Sequence, residues 1–571
     1  MTNNKFLSIA IILIFILFIS SCEKNTKKVY NLHFELNGGA CEHLPTEYSP
    51  QEELELPIPE KEYCVFDGWY DNSSFTGSKI EKIEKGTSGD KTFYAKFVSM
   101  FKHNTINFDG NGNKFVIKVL PVSEYDPFNV LYRKPDKSIK QAIQKSVENA
   151  YNIKIEYSNW EDEAPFGLER INYIKNSFID GSFLKNNVYA INIDSTFIKN
   201  LVKASCLAEI YNGTNNEELI SEYNNSLSNI EKDLLVTSKK LYGISSGYYA
   251  DTFIIYNRTK VKQYKLDDPA ELWYKGEWTW DKFDTWIEEA SLKLTDNEKV
   301  LSISAYDYTI GKIHSLGKSI INKNRNSLSS ITEIKDIFNE LKVYEESNLY
   351  NKQSIITTMS HEFLNNVDLL ATGSLYNLNY LYSMSENEPD FQIGIVPYPY
   401  NNIDNLSFYH EPYSFIDGYG NSIKIDNPVK GRNDKPLMID NKEIYGINLT
   451  NNTYKTPVRS SSCFAVMNYY DAPITTKAAA NIINDLFNSS TKVSDIEIAL
   501  EHLSISDLDK GILKSLQNQS IHSFEPVESI DIYLMGSGTS HSLSWYSMCY
   551  NIIYNDKDIE ENLNFYKQQL G

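Results

Sequence analysis

Residues 243–247, Gly-Ile-Ser-Ser-Gly, match the pattern G-x-S-x-G, in which a serine hydroxyl acts as a nucleophile. That chemistry requires the serine to stand at a sharp turn from a strand into a helix. The residues that follow, "DTFIIYN" from Asp251, have the composition of a strand. The pattern therefore predicts a loop between two strands and no nucleophile.

Two histidine–glutamate pairs begin like the zinc-protease motif H-E-x-x-H, at His361 and His410. Neither stretch has the second histidine that completes the zinc ligands. A glycosidase would need two carboxylates roughly 5–10 Å apart across a cleft, and the sequence singles out no such pair. We therefore expect no metal site, no cofactor and no enzymatic activity, with a secreted glycosidase as a remote alternative.

Aromatic side chains are the more informative feature of the chain. They make up 13% of its 571 residues, led by 40 Tyr, and they crowd into "KLYGISSGYYADTFIIYN" from Lys240 and "YKGEWTWDKFDTW" from Tyr274. Tyrosine combines a large apolar face with a polar tip, so it suits polar ligands as well as cores. Tyr248 and Tyr249 lie between strand patterns and Trp278 precedes a helix, so these three are candidates for stacking on a ligand. Packing within a hinge is the alternative for each.

A helix is predicted to begin after Thr279, because a threonine hydroxyl caps exposed N–H groups and Asp281 suits the positive end of a helix. The apolar positions that follow recur at helical spacing: Phe283, Trp286, Ile287, Ala290 and Leu294. We therefore assign Trp286, and with it Trp280, to the core.

Net charge excludes one class of partner. The formal charge of −20 would repel the phosphates of a nucleic acid, and it also argues against electrostatic attachment to anionic lipid.

The length of the chain predicts two to four domains. After Cys22, five cysteines remain, with no CxxC pair; Cys41 and Cys64 could form a disulfide, whereas buried thiols are the simpler expectation.

The first 22 residues predict secretion. "MTNNKFLSIAIILIFILFISSC" has an apolar run from Phe6 to Ile19, which is shorter than the roughly 20 residues of a membrane-spanning helix. Its end resembles a bacterial lipobox, in which lipidation of Cys22 would anchor the protein at the extracellular or periplasmic face of the cell membrane. We therefore predict a lipoprotein signal peptide at 1–21 and a linker at 22–28; a plain signal peptide is the alternative.

A small β-rich module follows. Alternating apolar residues in "VYNLHFEL", and the aromatic stretches "YCVFDGWY" and "KTFYAKFV", predict short strands. We expect their core to contain Phe66, Trp69, Tyr94 and Phe97. Residues 29–98 resemble the Listeria–Bacteroides repeat, a β-grasp-like unit of bacterial surface proteins, which implies a spacer or surface-interaction role.

From Phe115 onward strands and helices alternate, which is typical of an α/β fold built on largely parallel sheets. "KFVIKVLP", "IKIEYSNW" and "NVYAINID" are the first strands, and "SIKQAIQKSVENAY" is a helix. Ligands of such sheets bind beyond the carboxyl ends of the strands. The candidate binding residues at these ends are Glu124, Tyr125, Trp160, Asp162, Asp194 and Ser195.

The aromatic stretches also resemble the extracellular solute-binding proteins of family 1, the sugar-type lipoproteins of ABC importers. The similar motifs are Leu-Tyr-Gly-Ile at 241–244, Tyr-Asn at 256–257, Asp-Pro at 268–269 and Trp-Thr-Trp-Asp at 278–281, with Ser245 where the family usually has proline. "FQIGIVPYPY" and "SSCFAVMNYYDAPITTKAAANIINDLF" continue the likeness in the same order. The polar insert at about 407–456 departs from it, and we interpret that insert as a β-excursion.

This resemblance implies a two-lobe periplasmic-binding-protein type II fold over 113–571, preceded by the β-grasp-like module. Lobe 1 would comprise about 113–247 and 399–480, and lobe 2 about 250–395 and 485–571. The "Y-Y-A-D-T" stretch would be the first crossing between lobes, which makes Asp251 a further candidate for binding sugar hydroxyls. A monomer that delivers a carbohydrate or another small polar solute to an ABC permease is the implied function. A surface interaction or adhesion lipoprotein acting through the module is the alternative.

Overall fold

The computed structural model describes residues 28–62, 64–99, 106–132, 134, 136–162, 164–212, 217–218, 227–238, 240–322, 325–351, 361–378, 390–487, 500, 503–536 and 544–570. The predicted signal peptide at 1–21, the lipidation candidate Cys22 and most of the linker at 22–28 lie outside these residues. The chain divides into two compact units, Met1–Lys102 and His103–Gly571.

The amino-terminal unit is a β-structure. Its strands are β1 (Tyr30–Glu35), β2 (Glu47–Tyr48), β3 (Leu54–Glu55), β4 (Cys64–Tyr70), β5 (Lys82–Ile83) and β6 (Lys91–Ser99). One sheet has the order β2-β1-β6-β4, in which β1 and β6 run parallel and β4 runs antiparallel to β6. β3 and β5 pair separately. A bulge between Phe66 and Gly68 bends β4.

Trp69 forms the centre of this unit's core. It is 1% exposed, and its Nε1–H donates a hydrogen bond to the carbonyl oxygen of Pro57 at 2.7 Å. The predicted packing of Phe66 and Phe97 around Trp69 is confirmed. The prediction for Tyr94 is wrong: successive side chains of a strand point to opposite faces, and Phe93 occupies the core position instead.

The five cysteines that the structure describes are unpaired. Cys41 and Cys64, which could have formed a disulfide, are free and half-buried. The thiols of Cys206, Cys463 and Cys549 are buried. Burial raises the pKa of the Cys206 thiol to about 11, because an ionised thiol would lose its hydration there. These cysteines therefore act as small apolar core residues.

The strands and helices of the second unit, the body, alternate along the chain. Its strands are β7 (Asn113–Val119), β8 (Ile153–Asn159), β9 (Val188–Asp194), β10 (Tyr211–Asn212), β11 (Glu217–Glu218), β12 (Val236–Thr237), β13 (Lys240–Leu241), β14 (Ile244–Ser245), β15 (Phe253–Asn257), β16 (Leu301–Ser302), β17 (Leu370–Gly373), β18 (Ile393–Val396), β19 (Ser407–Tyr409), β20 (Tyr413–Ile416), β21 (Ser422–Ile425), β22 (Met438–Ile439), β23 (Lys442–Glu443), β24 (Gly446–Asn448), β25 (Thr456–Val458), β26 (Ser462–Val466) and β27 (His522–Phe524). Its helices are α1 (Val122–Tyr125), α2 (Lys137–Tyr151), α3 (Leu168–Ile179), α4 (Ser182–Lys185), α5 (Ile198–Lys203), α6 (Asn229–Leu235), α7 (Arg258–Gln263), α8 (Pro269–Tyr274), α9 (Trp280–Ser291), α10 (Ala305–Ser315), α11 (Ile331–Glu346), α12 (His361–Leu364), α13 (Thr476–Phe487), α14 (Asp507–Ser515), α15 (Val527–Gly536), α16 (Trp545–Ile553) and α17 (Ile559–Leu570).

Two larger sheets organise the body. The first sheet has the order β14-β26-β9-β7-β8, with β7, β8 and β9 parallel and β26 antiparallel to β9. The second sheet has the order β16-β17-β15-β18, with β15 antiparallel to both its neighbours. The prediction of an α/β fold with two lobes is confirmed, because each sheet carries its own helices. The prediction of largely parallel sheets holds for β7, β8 and β9 but is wrong for the second sheet, where two of the three pairings are antiparallel.

Helix α9 shows why the aromatic residues are so dense here. The Thr279 hydroxyl caps the helix by accepting a hydrogen bond from the Lys282 N–H at 3.2 Å, as predicted. The predicted stripe is confirmed at Phe283, Trp286, Ile287 and Ala290, which are buried, whereas Leu294 lies beyond the end of the helix and is partly buried. Large rings on this face fill the space between α9 and the second sheet. Full burial of a large apolar side chain stabilises the fold by about 1.5–3 kcal/mol.

Three described segments connect the two sheets. Residues 246–252 run from β14 to β15, and two parallel strands run side by side: β25 leads into β26, and β27 leads into α15. Ser246 and Gly247 of the serine motif lie in the loop between β14 and β15, as predicted, whereas Ile244 and Ser245 form β14 itself. We name 246–252, β25 and β27 the crossing segments.

The lobe division differs from the predicted one in two places. Residues 399–480 are predicted in lobe 1, but Tyr400 and Tyr454 pack around Trp273 in the core of the second sheet, with the rings of Tyr400 and Trp273 stacked at 4.0 Å. Residues 485–571 are predicted in lobe 2, but α15 packs against α5 of the first lobe. Sequence order conceals both placements because the contacts are long-range.

Among the described helices, none has the length and apolar composition needed to cross a bilayer.

Candidate functional site

A cavity of about 300 Å³ lies where the crossing segments meet the first sheet. We name it the crossing cavity. Its lining residues are Asp194, Ser246, Gly247, Tyr248, Tyr249, Asp251, Tyr419, Pro457, Arg459, Ser460, Ser461, Ser462 and Glu528. An adjoining cavity of about 100 Å³ shares Ser246, Tyr419 and Ser462 with it and reaches Glu124 and Tyr125. The size and the polar lining suit a small polar ligand.

Asp194 stands at the carboxyl end of β9, as the strand pattern predicted. Its carboxylate accepts hydrogen bonds from the Thr196 N–H at 2.8 Å and the Thr196 hydroxyl at 2.7 Å. Burial raises the pKa of Asp194 in spite of these bonds. The bonds aim the carboxylate at the crossing cavity and start the turn that follows the strand.

Ser195 does not line the cavity but positions a segment that does. Its N–H donates to the carbonyl oxygen of Ser461 at 2.8 Å, and its hydroxyl accepts from the Ser461 N–H at 3.1 Å. Across the cavity, the Ser246 hydroxyl donates to the carbonyl oxygen of Ser462 at 2.5 Å. Residues 459–462 are therefore fixed between β9 and the first crossing segment.

Arg459 links the cavity to the second lobe. Its Nη1 lies 2.9 Å from Oδ1 of Asp307, in the first turn of α10. Burial opposes the charge of Arg459, but the carboxylates of Asp307 and Glu528 outweigh that effect and raise its pKa. The guanidinium is thus held in its charged form at the wall of the cavity.

Two carboxyl groups of the cavity titrate near neutral pH. Burial raises the pKa of Asp251 to about 7, although its carboxylate accepts a hydrogen bond from the Leu375 N–H and lies near Arg459. Burial also raises the pKa of Glu528 to about 7, and the carboxylate of Asp194 adds to that rise. Removal of charge from water is the common physical cause.

Tyr419 and Tyr249 supply aromatic surface to the cavity, and both are half-buried. The turn before Tyr419 is fixed by Asp417, whose carboxylate accepts a hydrogen bond from the Tyr419 N–H at 2.9 Å. Gly247 has a φ of +98°, and a Cβ there would lie 2.1 Å from the Tyr419 ring. Gly247 therefore lets the ring approach the first crossing segment.

The structure brings together most of the predicted site residues. Asp194, Tyr248, Tyr249 and Asp251 line the crossing cavity, and Glu124 and Tyr125 line the adjoining one. Tyr248 is only 2% exposed, and its ring packs edge-on against His522 of β27. Its ring is thus part of the hinge packing and offers no open face for a ligand.

Three predicted residues lie elsewhere. The prediction of Trp278 as a stacking residue is wrong: it is fully buried, its Nε1–H donates to the carbonyl oxygen of Pro397 at 3.2 Å, and its ring packs edge-on against Trp286. Trp160 is 6% exposed and packs beneath the guanidinium of Arg170. Asp162 is exposed and lies outside both cavities.

Sequence reasoning missed Arg459, Tyr419, Glu528 and the serines at 460–462. The run Arg-Ser-Ser-Ser before β26 and the turn "DGYGN" around Tyr419 are polar loop sequences of an ordinary kind. Their placement depends on contacts with residues far away along the chain, such as the pair between Arg459 and Asp307. The rule that ligands gather at strand ends could have pointed to residues 459–462 only if the direction of β26 had been known.

A larger cavity, of about 1120 Å³, lies away from the crossing segments. Arg258 lines it, but its guanidinium is bound by the carboxylates of Asp268 and Asp509. The aromatic ring that lines it, Phe391, is itself buried in the core. We therefore assign the ligand site to the crossing cavity, where the crossing segments meet and Arg459 pairs with Asp307 of the second lobe.

Comparison with known proteins identifies the amino-terminal unit. Residues 30–96 match the family model described as the Listeria-Bacteroides repeat domain. No curated protein matches the sequence.

Several solved structures resemble the chain at low sequence identity. A cyclo/maltodextrin-binding protein complexed with maltotetraose is 12% identical, with a TM-score of 0.47 over 82% of this chain and 98% of that one. A sugar transporter from Rhizobium etli in an open conformation is 12% identical, with a TM-score of 0.48 over 80% and 98%. An ABC substrate-binding protein from Listeria monocytogenes in complex with cycloalternan is 13% identical, with a TM-score of 0.43 over 80% and 98%. The chain carries an amino-terminal Listeria–Bacteroides repeat domain, followed by a two-sheet α/β body that is similar to these binding proteins.

Proposed function

We propose that this protein is a lipid-anchored extracellular solute-binding protein that binds a carbohydrate and delivers it to an ABC permease. The observation that carries the proposal is the crossing cavity. Tyrosine faces suit the apolar C–H face of a sugar ring, and carboxylates and serine hydroxyls suit its hydroxyl groups. Residues of the first lobe, of the crossing segments and of the insert form the wall, and Arg459 there pairs with Asp307 of the second lobe, so a ligand would lie at the junction of the lobes.

Lobe closure would couple binding to transport. The crossing segments are short and lie side by side, which is the arrangement expected of a hinge between two lobes. Arg459 and Asp307 bring the two lobes together at the cavity wall. The anchor in this proposal is the lipid on Cys22, the working form is a monomer at the cell membrane, and the cavity binds its ligand without cleaving it.

A thermal-shift screen of the full chain tests the proposal. The panel contains monosaccharides, oligosaccharides, amino acids and short peptides. A saccharide near saturation should raise the unfolding midpoint by several degrees, and about 2.7 kcal/mol of stabilisation is expected at a hundredfold excess over Kd. Chromatography of the recovered saccharide should show it intact. An unchanged unfolding midpoint with every saccharide, or hydrolysis of the bound saccharide, would contradict the proposal.

The Listeria–Bacteroides repeat domain favours a second candidate, a surface interaction or adhesion lipoprotein that acts through residues 29–98. The family match covers 30–96. Full chains with and without the Trp69→Ala change, which opens the module's core, would be compared for retention on cell-wall material. If the Trp69→Ala variant is no longer retained on cell-wall material, and the body binds no saccharide, this candidate would be favoured.

A further inference from the structure

The crossing cavity has more acidic than basic side chains. Three carboxyl side chains line it, from Asp194, Asp251 and Glu528. Arg459 is the cationic side chain among the described lining residues, and Asp307 already neutralises it at 2.9 Å. The adjoining cavity is balanced by contrast, because Glu124 there lies 3.1 Å from Lys134. The excess of acidic side chains is thus confined to the crossing cavity.

An independent feature also points to a polar ligand. Ser461 is 7% exposed and lines the crossing cavity, and its hydroxyl oxygen has no hydrogen-bond partner within the described part of the chain. A buried hydroxyl without a partner is costly unless a ligand or water satisfies it. The backbone of Ser461 is fixed by Ser195, so the hydroxyl is held where a ligand can reach it.

We propose that the crossing cavity prefers a saccharide that bears a free, protonated amino group over its neutral or N-acetylated counterparts. This inference rests on the proposed function, which it makes more specific. An ammonium group has three hydrogen-bond donors and no acceptor. The carboxylates of Asp194, Asp251 and Glu528 could therefore surround it and accept these hydrogen bonds. Tyr419 and Tyr249 would cover the ring, and the Ser461 hydroxyl would bind a ring hydroxyl.

Proton release should accompany such binding. Asp251 and Glu528 each have a pKa raised to about 7 by burial, and a bound cation would favour their ionised forms. The other titratable or charged groups that face them are Asp194, Tyr306, Asp307, Arg459 and Asp531. Affinity for the amine should therefore rise as the pH rises from about 6 to 7.5. It should fall again as the ligand amine loses its own proton, at about pH 8 for an amine of this type.

Isothermal titration of the full chain with matched ligands tests the inference. The ligands are glucosamine, N-acetylglucosamine and glucose, with the corresponding β-1,4-linked disaccharides and putrescine. We expect the free-amine sugar to bind at least tenfold more tightly than its partners, with proton release measured in two buffers of different ionisation enthalpy. Asp251→Asn and Glu528→Gln should each remove most of this preference, and Asp162→Asn, an exposed carboxylate outside the cavity, should retain it.

The possible results separate the two proposals. Equal or tighter binding of neutral or N-acetylated sugars overturns the inference and leaves the carbohydrate-binding proposal standing. Binding of putrescine as tightly as the amino sugar overturns the saccharide part. Binding of no saccharide at all overturns both. Because the wild-type ligand series and its pH dependence decide the matter alone, a variant that fails to fold does not prevent the test.

Discussion

Arg459 Nη1 lies 2.9 Å from Asp307 Oδ1, and this ion pair joins the segment before the last strand of the first sheet to a helix of the second lobe. The two residues are 152 positions apart in the sequence. Asp307 is itself held by the Ser304 hydroxyl, which donates to its other carboxylate oxygen at 2.5 Å. The pair therefore connects the lobes directly beside the candidate ligand site.

Breaking this pair should destabilise the body. Arg459→Met leaves the Asp307 carboxylate buried and unpaired, and loss of one partner of a buried pair costs about 3–5 kcal/mol. Urea unfolding gives the measurement. The matched control is Lys293→Met, which breaks a half-buried surface pair with Glu289 at the end of α9 and should cost less than about 1 kcal/mol. Equal losses for the two variants would show that the Arg459 pair contributes no more than a surface pair.

Two aromatic residues should respond in opposite ways to truncation. Tyr419→Ala should weaken saccharide binding about tenfold, equivalent to about 1.4 kcal/mol, with little change in stability, because the ring is half-buried at the cavity. Trp278→Ala should lower the free energy of unfolding by about 3–5 kcal/mol, because its ring is fully buried. The folded fraction of that variant should retain its affinity. Titration calorimetry and urea unfolding measure the two quantities, and an unchanged affinity for Tyr419→Ala would remove that residue from the site.

The contrast between these residues shows what the sequence could predict. Asp194 was predictable, because a polar residue at the carboxyl end of a buried parallel strand lies at the ligand-binding edge of the sheet. Trp278 was not, because its position before a helix cap does not tell which way its ring points. Arg459 gave no local signal, because its role depends on a partner 152 residues away. The spacing of apolar residues and the helix caps thus predicted the strands and helices. Whether a given side chain lies in the core or at the cavity depended on long-range packing.

Gly247 should be needed for the shape of the site. A Cβ there would lie 2.1 Å from the Tyr419 ring, at a φ of +98°. Gly420 is a matched control, since its φ is +86° and a Cβ there would meet no heavy atom within 4 Å. Either change to alanine adds backbone strain of about 1 kcal/mol. Gly247→Ala should in addition displace the Tyr419 ring, so it should lower the saccharide affinity while Gly420→Ala preserves it. Equal affinities in titration calorimetry would mean that the Tyr419 ring does not contact the ligand.

The acid groups of the crossing cavity should make stability depend on pH. The folded-state pKa of Asp251 and of Glu528 is raised to about 7, whereas free carboxyl groups titrate at about 4. Between these values the folded protein holds protons that the unfolded chain releases, so this contribution to the free energy of unfolding falls as the pH rises from about 4 to 7. The variants Asp251→Asn and Glu528→Gln have no titrating carboxyl group at these positions, so they cannot lose this contribution as the pH rises. Their melting temperatures should therefore rise relative to wild type as the pH increases. Melting curves recorded without ligand from about pH 5 to 8 provide the measurement. Parallel profiles for all the variants would mean that Asp251 and Glu528 titrate in the folded protein as they do in the unfolded chain.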